Sequence, residues 1–253
     1  MTADIEDGGR AGALHHKIVR AAADVLESEG LDALSTRAVA ARAGVFPPTI
    51  FRLFGDKDGL LEALGEHGFD TYLEAKSRLP RSDDPVADLR RAWDLHVRFG
   101  LEQPAYYALV FGPSRSGRPS QAGRRALVEL QRMLTRVAAA GRLRMSVERA
   151  TALMHAAGVG VVTTTISTPT ETRDPELARV AREVVFDAMI ARPAAEPGAE
   201  PAGGAPGAGP AGPAMALRAA LAAEGESPLS PGEELLLLEL LNRLADVRRS
   251  GEG

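Results

Sequence analysis

Apolar residues recur three and four positions apart through most of the first 190 residues, and nowhere do they alternate with period two for long. That spacing predicts helices and no strands. Ile18, Ala22, Val25 and Leu26 share one face of a helix expected over about 14–29, closed by Gly30. Val39, Ala40 and Ala43 then line one short helix, and Val45, Ile50, Leu53 and Phe54 line a second. Ser35 stands where an N-cap hydroxyl can take an orphan backbone N–H. Gly44, between the two short helices, suits the left-handed residue that ends a helix. Helix, tight glycine turn and helix make a helix-turn-helix pattern, whose second helix can enter a DNA major groove.

The rest of the chain continues in helices. Asp56 can cap a helix over 57–78 whose apolar positions include Leu60, Leu61, Leu64, Phe69, Tyr72 and Leu73, and Pro80 ends it. Asp84-Pro85 opens the next, with Leu89, Trp93, His96 and Val97 facing inward. Pro104 opens a short one, and 112–123 is a polar Gly/Pro loop. Helices over about 121–140, 147–166 (capped by Ser146) and 175–191 complete an all-α body.

Residues 193–213 are only Pro, Gly, Ala and Glu, which leaves nothing to build a core from and predicts a flexible linker. Beyond it a short helix is expected over 214–224. Ser230-Pro231-Gly232-Glu233 is then a capping box for a helix striped by Leu237, Leu240, Leu241, Leu244 and Val247. Such a stripe must be covered, by the body or by a second subunit. The chain therefore divides into a disordered arm (1–13), a helix-turn-helix domain (14–56), a helical body (57–192), a linker (193–213) and a helical extension (214–253).

Charge sharpens this division. The 253 residues carry a net charge of −4. Residues 10–57 hold seven basic and five acidic side chains, hence +2, which leaves −6 for the remainder. A basic head on an acidic body fits a head that meets phosphate. The absence of cysteine excludes disulfides and thiolate-ligated metals. The first ten residues are acidic with no apolar run, unlike a signal peptide. The longest uncharged stretch, 150–170, contains His155 and several threonines and reads as a buried helix rather than a membrane span. His15-His16 reads as a solvated helix start. No histidine pair has metal-ligand spacing, and no cofactor is expected. Neither a phosphate-cradling loop nor a nucleophile elbow is present, so catalysis is not expected.

The run Leu34-Ser35-Thr36-Arg37, Ala43-Gly44-Val45, Pro48-Thr49-Ile50-Phe51-Arg52 and Lys57 resembles the TetR family of bacterial repressors, over about 14–62. The resemblance implies a cytoplasmic homodimer that binds double-stranded DNA at a pseudo-palindromic operator. Helices over about 147–167 and 175–191 would form a four-helix interface with their mates. A small-molecule effector in the body would change the spacing of the two heads. Carried over by position, Thr36 and Arg37 would reach phosphate and Thr49 would face bases or phosphate. Arg52 would offer a forked donor to guanine, and Lys57 would contact the backbone.

The chain departs from the family where Phe46 and Phe51 replace hydroxyl-bearing residues and where Pro47 and Pro48 follow each other. A residue before proline avoids the α region. That places Pro47 at the cap and Pro48 in the first turn, with Phe46 and Phe51 closing a hydrophobic staple. Pro47, Pro48 and Phe51 then belong to the interface. The alternative is a dimeric interaction protein with a vestigial helix-turn-helix.

For the pocket, Trp93, His96, Phe99, Tyr106, Tyr107 and Phe111 gather unusual aromatic density in a chain that is 4% aromatic. Met133, Met154 and His155 join them as candidates. Core packing is the plainer role of any one of them. Gly158, Gly160 and the threonines at 163–165 mark close helix contact, at the pocket or at a dimer seam. Arg115, Arg118, Arg124 and Arg125 read as a solvated basic loop.

Overall fold

The computed structural model describes residues 3–78, 81–112, 120–191, 210–223 and 229–246. The described residues are helical throughout, apart from turns and one isolated antiparallel bridge between Leu143 and Ile190. They fall into two compact units. One takes Met1–Arg78 and Arg98–Ala126, the other Leu79–Val97 and Leu127–Gly253.

The first unit holds α1 (Ala3–Glu29), α2 (Thr36–Ala43), α3 (Pro47–Phe54), α4 (Lys57–Ser77) and α6 (Pro104–Phe111). It also takes the end of α5 (Pro85–Glu102) and the start of α7 (Gln121–Ala139). Helix α1 starts at Ala3, so the expected disordered arm over 1–13 is corrected from that residue onward. The buried turns from Ile18 onward supply a nucleus from which the helix propagates through Gly8 and Gly9.

Ile18, Ala22, Val25 and Leu26 of α1 are buried, together with Leu34, Val39, Ala40, Ile50, Leu60 and Leu64. His15 is half-buried and lies 4.5 Å from the Phe54 ring, which corrects its reading as a solvated side chain. Helices α4 and α6 approach closely at Gly68. A Cβ added there would lie 2.1 Å from the Tyr106 ring. The Tyr106 hydroxyl donates to Glu27 of α1 at 3.3 Å. Burial, together with that carboxylate, pushes the phenol up to about 12.

The second unit holds the rest of α5 and α7, with α8 (Val147–Ser167), α9 (Leu177–Met189), α10 (Ala211–Ala223) and α11 (Pro231–Asp246). Its core gathers Leu89, Trp93, Leu134, Val137, Leu143, Val147, Phe186 and Met189. By length and composition α8 could cross a membrane. Val147, Ala150, Met154, Gly158, Val161 and Val162 are buried along one face of it, but only 28% of its apolar window is buried, so the helix is covered on one side rather than buried as expected.

Polar ties supplement the core. Trp93 Nε1 donates to the Ala178 carbonyl at 3.2 Å. Arg90 donates to both oxygens of Glu183 at 2.6 and 2.7 Å while its guanidinium lies over the Phe186 ring. Asp88 is 4% exposed and collects donors from three places. These are the Ser82 N–H and hydroxyl, Arg91, and Arg136 of α7 at 2.7 Å.

The C-terminal extension packs on this same unit. Ala214 and Met215 of α10 and Leu241 and Ala245 of α11 are buried in one cluster with Leu143 and Val147. Asp246 accepts the Ser146 N–H at 2.9 Å and the Ser146 hydroxyl at 2.8 Å, at the start of α8. Arg218 clasps both oxygens of Glu148 at 2.6 and 2.8 Å and also reaches Asn242 at 2.8 Å. The guanidinium holds the Glu148 carboxyl below its usual range.

The expected leucine stripe is therefore rotated. Leu241 is buried and Leu237 partly so, but Leu240 and Leu244 are exposed. Docking follows the line Leu237, Leu241, Ala245, where the small Ala245 lets the helix come close. Val247 and most of the linker lie outside the described residues. Helix α10 begins at Ala211, three residues inside the expected linker. The capping box at Ser230 forms as expected, with Glu233 accepting from Ser230 and the Ser230 hydroxyl accepting the Glu233 N–H.

Candidate nucleic-acid interface

The local chemistry of residues 35–57 fixes the helix-turn-helix. Ser35 is extended (φ −128°, ψ 154°), and its hydroxyl accepts the Ala38 N–H at 3.1 Å. Gly44 takes φ +63°, a conformation in which a side chain would clash with the backbone. The N–H groups of Gly44 and Val45 close the end of α2 on the carbonyls of Ala41 and Ala40. Asp56 caps α4 through the Gly59 N–H at 2.8 Å.

The entrance to α3 differs from expectation by one residue. Phe46 is the cap (φ −78°, ψ 141°), with Pro47 and Pro48 in the first turn. The extended geometry of a cap and the extended bias of a residue before proline coincide at Phe46. Pro47 arrives with its φ already helical. Burial of Ile50 then holds this register against the extended bias that Pro48 places on Pro47. The apolar positions flanking the cap become Val45, half-buried, and Ile50, fully buried. The expected Phe46–Phe51 staple does not form, because Phe46 is 82% exposed and Phe51 50% exposed.

The outward face of α3 consists of Pro48, Phe51 and Arg52, spaced i, i+3 and i+4 and all exposed. Pro47 and Thr49 are half-buried beside it. On α2, Thr36 is half-buried and Arg37 exposed, and Lys57 is exposed at the start of α4. Arg42 is tied back to Glu29 of α1 at 2.7 Å. Among the described residues no carboxylate pairs with Arg37, Arg52 or Lys57. Three cations, from the starts of α2 and α4 and the last turn of α3, are thus available to an anionic partner. Sequence reasoning missed the outward aim of Phe46. The signal was there in Ile50, whose burial fixes which face of α3 turns inward.

The nine pocket candidates divide between the two units. Phe99, Tyr107 and Phe111 stack with Phe69 and Tyr72 of α4 in the first unit, with ring centroids 4.7–6.2 Å apart. Tyr106 lies beside them against Gly68. Burial drives the Tyr72 and Tyr107 phenols well above their ordinary range. Trp93, His96, Met133, Met154 and His155 lie in the second unit. Trp93 and Met154 are core residues and Met133 packs against that core. The His96 ring lies against Gly158, where an added Cβ would come within 3.3 Å. His155 is half-buried, and burial lowers its pKa.

Comparison with known proteins places this geometry. The family model described as "Bacterial regulatory proteins, tetR family" matches residues 18–64. No curated protein matches the chain. A TetR family transcription regulator from Marinobacter aquaeolei VT8 is similar in structure, with TM-score 0.52 and 21% identity over 73% of this chain and 99% of that one. A TetR-family transcriptional regulator from Haemophilus influenzae RD gives 0.52 and 19%, over 71% and 97%. A protein of unknown function from Rhodococcus sp. RHA1 gives 0.57 and 24%, over 70% and 95%. Residues 18–64 thus match the family model of the tetR bacterial regulatory proteins, and the chain shares the all-helical fold of solved TetR-family transcription regulators.

Proposed function

We propose that the protein is a repressor. In this reading it binds a pseudo-palindromic operator in the cytoplasm as a homodimer and leaves it when a small-molecule effector binds. The observation that carries the reading is the set of exposed cations, Arg37, Arg52 and Lys57, around an outward α3 face. Thr36 and Arg37 would hold phosphate at one end of that face and Lys57 at the other. Thr49 and Arg52 would lie over base edges, with Pro47, Pro48 and Phe51 alongside.

Residues 14–56 act as the head, 57–192 as the body and 214–253 as an extension fastened to it. The homodimer is supported by exposed Val180 and Val184 on α9 and by exposed Gly160 and Thr163 on α8, small and apolar surface suited to helix packing. The effector would be held by residues of the body, with His96, Met154 and His155 as one group and Tyr106, Tyr107 and Phe111 as the other. Effector and operator then oppose each other through the equilibrium between head spacings.

Fluorescence anisotropy with the duplex upstream of the protein's own gene, against a shuffled duplex, tests the reading. Specific binding at two chains per duplex supports it. Equal affinity for both duplexes would favour the interaction-protein alternative, to which the exposed Phe46 and Phe51 lend some weight.

A further inference from the structure

The leading end of α3 has an unusual chemistry for a DNA reader. Helix N-termini hold anions because their first backbone N–H groups are unsatisfied. Here the first two helical residues are Pro47 and Pro48, which have no N–H. The third N–H, of Thr49, is already given to the Phe46 carbonyl at 2.9 Å. The first turn therefore offers no backbone donor to a phosphate. The side chains at this end are apolar and stand in solvent, with Phe46 82% and Phe51 50% exposed and Pro48 exposed beside them. The same head exposes the cations Arg37, Arg52 in the last turn of α3, and Lys57 beyond its end, which complement a polyanion rather than a hydrocarbon surface. An apolar helix start on a cationic head fits a partner that presents apolar groups between rows of negative charge. In a DNA major groove the apolar group on a base edge is the C5-methyl of thymine.

We propose that Phe46, Pro48 and Phe51 read thymine methyl groups, so that each half-site carries thymines where α3 enters the groove and Arg52 sets the neighbouring base. This rests on the DNA-reading function proposed above and gives that site its base preference. The departures from hydroxyl-bearing residues then exchange phosphate contacts for a base contact.

The test uses the full chain and a 24-base-pair duplex enriched from a random library by that same chain. Thymines at the enriched positions are replaced one at a time by deoxyuridine, which keeps the pairing and removes only the methyl. Affinity should fall about fourfold for each contacted methyl, the value of burying one carbon of that size. Deoxyuridine placed outside the half-sites should change nothing. The Phe46→Ala, Phe51→Ala variant should lose most of the difference between thymine and deoxyuridine duplexes, with only the methyl read by Pro48 still felt; an undiminished difference would overturn the assignment to the two phenylalanines. If the enriched duplex binds specifically and deoxyuridine has no effect at any position, the methyl reading is wrong and DNA reading stands. If no duplex is enriched over random sequence, both fall.

Discussion

Truncating Leu241 to alanine tests where the C-terminal extension is seated. Leu241 is 5% exposed and sits in the cluster that contains Leu143 and Val147, whereas Leu240, one residue earlier on the same helix, is 45% exposed. Removing three carbons forfeits about 2.4 kcal/mol of transfer energy at about 0.8 kcal/mol for each. A cavity term adds to this, but α11 is a surface helix and can settle inward, so the total should stay near 2–3 kcal/mol, in the lower half of the range for such substitutions.

Asp246→Ala should cost about 1–3 kcal/mol by leaving the N–H of Ser146, itself 2% exposed, without its acceptor. Both residues act through one docked helix, so the double variant should cost less than the sum. Urea denaturation reads these differences as a lowered midpoint at constant slope. Leu240→Ala should stay within about 0.5 kcal/mol, as surface changes do. If Leu240→Ala costs more than Leu241→Ala, α11 is covered on its opposite flank by another chain, and the packing described for the extension is wrong.

Further outcomes follow from the same contacts. Arg52→Ala should weaken operator binding by about 1–3 kcal/mol and relax the preference at one base position, read by anisotropy across single-base variants; equal weakening on every sequence would make Arg52 a phosphate contact. Asp88 is opposed by burial, but the donors from Ser82 and Arg136 prevail and hold its pKa below the ordinary 3.8. Its contribution is therefore present above pH 3.8 and is lost as pH falls through the lower native value. Asp88→Asn should flatten that acid limb in a denaturation series and cost about 1–3 kcal/mol at neutral pH; an unchanged acid limb would place the acid sensitivity elsewhere. Gly68→Ala should lower stability by about 1–3 kcal/mol, because the new Cβ meets the Tyr106 ring and overpacking outweighs the gain in helix propensity. A rise in melting temperature would mean that α4 and α6 are not in that contact.

What could be read from the sequence was local. Ser35, Gly44, Asp56, Ser146 and the Ser230 capping box each act within four residues, and each does so in the structure as the spacing predicts. What could not be read was set by distant partners. Asp88 resembles any acidic residue in a first helical turn until Arg136 and Ser82 are brought to it. The buried line of α11 depends on the shape of the surface it lands on, so five leucines and valines gave the helix but not the face. The cap of α3 was displaced because two proline rules pointed to different residues, and the burial of Ile50 decided between them. The pocket candidates between 93 and 111 are neighbours in sequence but fall in two units. The structure assigns α5 partly to each unit, so Trp93 and Phe99, six residues apart, lie in different units.

The salt dependence of operator binding tests the central claim most directly. If Arg37 and Lys57 of two heads each neutralise one phosphate, four counterions are released, and log affinity should fall against log salt with a slope near −3.6. That amounts to about 150-fold between 50 and 200 mM salt. The Arg37→Ala variant should flatten the slope by about 2, because it removes one contact from each head. A slope near zero, or one that Arg37→Ala leaves unchanged, would contradict the account of this head as a DNA reader.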